Sequence, residues 1–403
     1  MQSHNNRTCR RNDTGASGRY ATQGNLAKLA SLDKERVGHR AVFAESKKMG
    51  EIMMKTGAQS RFSVIRNIAL ALTGCALIAG CQSMGQTSGH AAAAALDPDN
   101  TSYKRMVTQG PARTIVENLY RCPVKVGNHR ISAVGQITAT DGTVITVPAE
   151  TAAQKGLGPR SVDLYNECTQ LTPQKSADVS SANVPVIEVD PDGEVITGFI
   201  VADNYYELYV NGKLVSVDNT PYTPFNSAMV KFKVKRPYTL AFLLVDWEEH
   251  LGLGMELFPL GPKGNPWYPG DGGLIAKFSD GTVTDSNWKA QSFYIAPLNT
   301  PDEVVDKGNL HDTTPLGRVH PVAKIPTCRE KCYAVHYPIP ANWQSPRFND
   351  TNWPRAYEYT DTDIGVTNLP AYTRYPEIFD GARWIWSLNL VFDNVVIARR
   401  TVR

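Results

Sequence analysis

The densest run of chemistry-bearing side chains is Asp246-Trp247-Glu248-Glu249-His250-Leu-Gly-Leu-Gly254. It directly follows an apolar, strand-like segment, so it forms a loop at a strand end, where binding residues collect. Glu248 and Glu249 are adjacent and point to opposite faces of an extended chain, so their spacing does not make an acid–base pair. Hydrolysis of a glycosidic bond needs two carboxylates about 5–9.5 Å apart, normally from different segments. Asp271 or Asp363 could partner either glutamate, and the sequence selects neither. A second loop, Gly264–Gly273, carries Trp267, Tyr268 and Asp271 among turn residues. Aromatic faces of this kind stack on sugar rings while nearby polar groups bond the hydroxyls. The candidate ligand-binding set is therefore Trp247, Glu248, Glu249, His250, Trp267, Tyr268 and Asp271, with no catalytic residue assigned. Asp190, Asp192 and Glu194 ring one turn, and hard oxygens at that spacing make a weak calcium candidate. No other cofactor is expected. The sequence holds no H-E-x-x-H, phosphate loop, G-x-S-x-G or C-x-x-C-H.

The chain has 403 residues and a net charge of +3, unevenly distributed. Residues 1–80 carry +8 and the remainder −5. An acidic body argues against a nucleic-acid partner, which rewards dense positive charge. The basic excess falls on Lys55, Arg61 and Arg66 ahead of an apolar run, Ile68–Gly80. That run is too short for a comfortable membrane span but has the length of a signal-peptide core. It ends Ile78-Ala79-Gly80-Cys81, which resembles the lipobox of bacterial lipoproteins. The resemblance implies a lipidated Cys81 as first mature residue and a membrane partner through the lipid. Gln82 beside it resembles outer-membrane sorting. The leader then spans 53–80, from Met53 or Met54. Residues 1–52 read as a misassigned start or a cytoplasmic extension. Residues 81–104 read as the anchor cysteine and a flexible tether.

Export places the remaining cysteines, Cys122, Cys168, Cys328 and Cys332, in an oxidising compartment, where an even number suggests two disulfides. Four cysteines allow three pairings, and sequence locality favours Cys122–Cys168 and Cys328–Cys332. Cys328, Cys332 and His336 also show the C-x3-C-x3-H spacing that resembles the dinuclear copper motif of oxidase subunit II. Ile339 stands where that motif has methionine, and His311 or His320 would have to supply a second imidazole.

These residues are positioned by strands. Val184–Val189, Glu194–Ala202, Tyr205–Val210, Lys213–Val217, Ala228–Lys235, Tyr238–Asp246, Gly273–Phe278, Thr282–Thr284, Trp288–Ile295, Ala382–Leu388 and Asn394–Val402 read as short strands between turns. Asn211-Gly212 is a strong hairpin signal. Leu157–Leu171 and Thr114–Tyr120 are weak helix candidates, and Ile131–Val147 reads as two strands about Asp141-Gly142. The class is all-β, a sandwich or barrel.

Asp203–Val215 resembles the Y-x-L-Y-V-N-G-K hairpin of galactose-binding-like jelly rolls that accompany glycoside hydrolases. Phe278–Lys289, Phe348–Trp353 and Ala382–Trp386 with Val396–Thr401 resemble further segments of those accessory domains, though here the last two follow the hairpin instead of preceding it. The resemblance covers about residues 183–403. It implies a jelly-roll β-sandwich, one or two packed together, and a carbohydrate ligand without catalysis. Residues 105–180 are expected as a small disulfide-closed β-rich module, 181–300 as the jelly roll, and 301–403 as its second part or a second β domain. The expected function is a non-catalytic outer-membrane lipoprotein, facing the periplasm or cell surface, that binds carbohydrate. The alternatives are an assembly protein docking another envelope protein, or a glycosidase-like or copper-binding protein.

Overall fold

The computed structural model describes residues 103–119, 131–166, 173–219, 226–257, 266–317, 327–367 and 369–403. The expected extension, leader, Cys81 and nearly all of the tether lie outside these residues, as do Cys122, Cys168 and His320. No helix among the described residues is long and apolar enough to cross a membrane.

In chain order the strands begin with β1 (Met106–Gln109), β2 (Arg113–Val116), β3 (Val134–Thr138), β4 (Val144–Val147), β5 (Val162–Tyr165), β6 (Val186–Glu188) and β7 (Glu194–Asp203). Next come β8 (Tyr205–Val210), β9 (Lys213–Val217), β10 (Ser227–Val234), β11 (Tyr238–Val245), β12 (Glu256–Leu257), β13 (Trp267–Tyr268) and β14 (Gly273–Phe278). The last are β15 (Lys289–Leu298), β16 (Val305–Lys307), β17 (Leu310–Asp312), β18 (Tyr333–His336), β19 (Tyr357–Tyr359), β20 (Trp384–Trp386) and β21 (Asp393–Val402).

The protein is an all-β sandwich. One sheet runs β1-β18-β15-β21-β11-β8-β9 and the other β19-β20-β14-β7-β10-β5, with β6 added to β10. All pairs within them are antiparallel except β6 with β10. Residues 301–403 supply β18 and β21 to the first sheet and β19 and β20 to the second, the same two sheets that 181–300 build. β1 and β5, from 105–180, complete them as edge strands.

Alternation explains the inner layer. Leu208 on β8, Phe242 on β11, Ala398 on β21 and Ala290 on β15 stand opposite one another in register. Phe242 meets Trp288, and Phe232 of β10 meets both Tyr238 and Phe278, so the two sheets share one core. Leu208, Phe232, Phe242 and Phe278 each contribute about 1.5–3 kcal/mol by leaving water. The tight β8–β9 hairpin works because Asn211 and Gly212 both take positive φ, 49° and 85°, as a type I′ turn requires.

β11 and β21 are buried on both faces, which alternation alone does not predict. The outward face of the first sheet is roofed by other segments. Trp343 packs on Tyr209, Phe348 lies under the Arg399 guanidinium, and the backbone N–H of Ala152 donates to Glu207. Two helix expectations are corrected. Leu157–Leu171 contains strand β5, and Thr114–Tyr120 begins in β2. Val162, Thr114 and Val116 are β-branched and find cross-strand partners, which outweighs a weak helical period. Thr282–Thr284 makes an isolated bridge at Val283 instead of a strand.

Candidate functional site

The first candidate region is the corner after β11. Val245 hands the chain to Asp246, which is buried. Trp247 is fully buried and its indole N–H donates to Ala133 O at 2.9 Å. Glu248 is 1% exposed. Its Oε2 accepts from the backbone N–H groups of Leu253 and Gly254, and Tyr294 O–H reaches both carboxyl oxygens at 3.0 Å. Burial still wins over these bonds and pushes the Glu248 carboxyl up to about 7. The loop closes this tightly because Gly252 and Gly254 take φ of 84° and 56°, and a side chain at 254 would strike Ala296 O.

Trp247 and Glu248 therefore build the corner, and neither presents surface to a ligand, which corrects their assignment as contact residues. Glu249 caps neighbouring backbone, accepting from Ile131 N–H and Leu257 N–H. His250 Nε2 meets Glu330 at 3.0 Å, and its ring lies 4.4 Å from that of Trp267. β12 and β13 pair Leu257 with Trp267 and Glu256 with Tyr268. Trp267 and Tyr268 are half-buried, and Trp267 packs on a small cluster of Leu253, Met255, Cys328 and Cys332. Burial, with Asp271 and Glu256 nearby, pushes the Tyr268 phenol up to about 12. The fold thus gathers three separate sequence features at one corner: the 246–254 loop, the 267–271 loop and the 328–332 pair.

Cys328 and Cys332 form the expected disulfide. With the sulfurs bonded to each other, no thiolate pair exists there for copper. His336 is stacked on Tyr294 at 4.5 Å, bonded to Thr108, and held down to about 3 by burial. The calcium candidates also face protein cations. Asp192 pairs with Lys235 and Glu194 with Arg236, while Asp190 accepts from Lys235 N–H. Asp363 closes a capping box with Thr360. Among the described residues, no three His, Cys, Asp or Glu side chains are placed to hold a metal.

The second region escaped the sequence reading. An open cavity of about 650 Å³ lies where the end of β21 faces the Asp280–Lys289 turn. Arg236, Lys289, Arg399, Arg400 and Arg403 line it with Asp280, Asp285 and Asp350, so cations outnumber acids five to three. Arg399 forms the floor. It is 1% exposed, bonds Asp350 at 2.8 Å, and donates to Trp343 O and Ser345 O. Arg236 is fixed by Glu194 and Asp280, and Lys289 by Thr351 O and Trp353 O. Arg400 donates to Asn287 O at 2.8 Å, and Asp285 holds the Asn287 backbone and amide. The lining is planar and polar, with guanidinium and carboxylate forks on a rigid frame. Such forks bond paired hydroxyls or an anion through two contacts at once.

No protein family, curated protein or solved structure matches this chain.

Proposed function

We propose that this chain is a non-catalytic cell-envelope lipoprotein whose β-sandwich binds carbohydrate, with the groove between β21 and the 280–289 turn as its site. The groove itself carries the reading: about 650 Å³ of open, polar, rigidly framed surface. Its cationic excess favours a sugar that bears carboxylate or phosphate groups. Two of the carboxylates considered for a glycosidase are engaged in the fold: Glu248 is sealed in the corner and Asp363 caps a helical turn. Anchoring rests on the leader-like segment before Cys81.

The purified chain, screened against neutral and acidic polysaccharides, is expected to retain an acidic class. Arg400→Ala should weaken that binding about tenfold, the worth of one good charge-assisted bond, while Trp267→Ala leaves it unchanged. The reverse pattern transfers the site to the corner. Silence of the folded chain across the panel defeats the carbohydrate reading and leaves protein docking. For the anchor, Cys81→Ser should move the chain from the membrane to the soluble fraction.

A further inference from the structure

The floor of the groove continues sideways into a row of positive charge. Lys289 of β15 stands opposite Arg399 of β21 in register. On its other side Lys289 stands opposite Arg355, where the chain passes β15 on its way to β19. The backbone N–H of Ala290 donates to Pro354 O at 3.0 Å, and that of Ala356 to Trp288 O at 2.9 Å. Lys289 and Arg355 are therefore the non-hydrogen-bonded kind of antiparallel pair, in which side chains approach closely. Residues opposed in this way share one face of a sheet, with Cβ atoms about 4.5–5.5 Å apart. Arg355, Lys289 and Arg399 thus form one transverse row on the outward face of the first sheet.

Two members of the row are spent on the roof. Arg399 holds Asp350, Trp343 O and Ser345 O, and Lys289 holds Thr351 O and Trp353 O. Arg355 differs. It is exposed, and its Nη1 donates to Asn287 Oδ1 at 3.2 Å. Arg400 donates to the backbone O of the same Asn287, which lines the cavity. Two guanidinium groups are therefore tied to two oxygens of one residue. Among the described residues, Lys289, Arg355 and Arg400 form no ion pair, and Asp350 is the one carboxylate bonded to the row. The other acids at this turn are engaged, Asp285 with the Asn287 N–H and amide and Glu358 with the Ser286 N–H. With Arg355 and Glu358 added, the cavity's five cations and three acids become six and four, which leaves two positive charges in excess. Like charges directly opposite one another weaken a sheet, so the row is a cost that the unliganded fold carries.

We propose that this end of the groove seats a phosphate dianion, with Arg355 and Arg400 donating to its oxygens and Lys289 and Arg399 attracting it from the floor. The inference rests on the carbohydrate reading of the groove and names the acidic group that the groove takes. A phosphomonoester carries about −1.5 to −2 charges at neutral pH and three strong acceptor oxygens. That matches an excess of two charges and donors supplied by separate segments. A carboxylate brings one charge and two coplanar oxygens, which a single guanidinium fork already satisfies. A phosphorylated sugar and inorganic phosphate share the chemistry and differ in the ring that the rest of the groove would hold.

The test is calorimetric titration of the full chain with glucose 6-phosphate, inorganic phosphate and glucuronate at pH 8 and equal ionic strength. Both phosphates should bind saturably, and glucuronate about tenfold more weakly or not at all. Tighter binding of glucose 6-phosphate assigns the seat to a phosphorylated sugar, and equal binding assigns it to the free ion. Arg355→Gln and Arg400→Gln should each weaken phosphate binding about tenfold. Arg355→Gln should also leave the unfolding midpoint of the unliganded chain unchanged or higher, because it removes one charge from the row. An arginine with only a structural role would lower it. Glucuronate bound as tightly as the phosphates, no phosphate binding, or a phosphate affinity unmoved in both variants overturns the seat. An acidic polysaccharide retained through Arg400 without preference for phosphate defeats only the seat. Phosphate binding by a chain that retains no polysaccharide defeats only the carbohydrate reading.

Discussion

At the 246–254 corner, Glu248 gives both carboxyl oxygens to Tyr294 and two backbone N–H groups and is hidden from solvent. At the β21 groove, Asp285, Arg400 and Lys289 are half-buried, fixed by one or two bonds each, and still line an open cavity. Both regions are built from charged residues at strand ends. In the corner the charge completes the fold, and in the groove it is held in place and left facing outward. Density of functional-looking residues therefore does not locate the site. The proposed site rests instead on residual bonding capacity at an open surface.

The contrast is sharpest under mutation. Glu248→Ala leaves two backbone donors and Tyr294 without their acceptor, and should cost about 3–4 kcal/mol in denaturant unfolding. A cost below about 1 kcal/mol would mean the corner does not depend on this carboxylate. Next in size is pH. Glu248 sits at about 7 in the folded chain against an ordinary 4.5. The folded form therefore binds more protons between those values, and this group's contribution falls as pH rises through 4.5 to 7. The loss is up to about 3 kcal/mol. Glu248→Gln should flatten that part of the stability–pH curve, and an unchanged slope would assign it elsewhere. Reducing Cys328–Cys332 opens a short loop and should cost about 2 kcal/mol. It also frees Glu330 from His250, so the Trp267 fluorescence should respond. In the groove, Arg400→Ala should change stability by less than about 0.5 kcal/mol, since its bond is exposed. A large loss there would make the groove a second structural corner.

Much of the sandwich was legible where local chemistry is decisive. Asn211-Gly212 dictates a tight turn, and Tyr205–Val210 alternates because one face of β8 meets the other sheet. The Cys328–Cys332 pairing followed from proximity in sequence. The roof over the first sheet was not legible. Arg399 reads as a surface charge on an alternating strand, and only the distant 343–350 segment, which supplies two carbonyls and Asp350, permits its burial. The groove escaped for the same reason, since its walls come from residues more than a hundred positions apart. Trp247 and Glu248 misled because a tryptophan and an acid beside glycines look alike in a binding loop and in a sealed corner. The Tyr294 hydroxyl that distinguishes the two lies on another strand.

β21 runs between β15 and β11, at the centre of the first sheet, although it is the last strand. The seven-stranded sheet therefore cannot close while that segment is still being made. Its neighbours must wait, with apolar edges unpaired, until residue 402 arrives. Such late, long-range closure predicts slow folding and a need for protection from aggregation on the way.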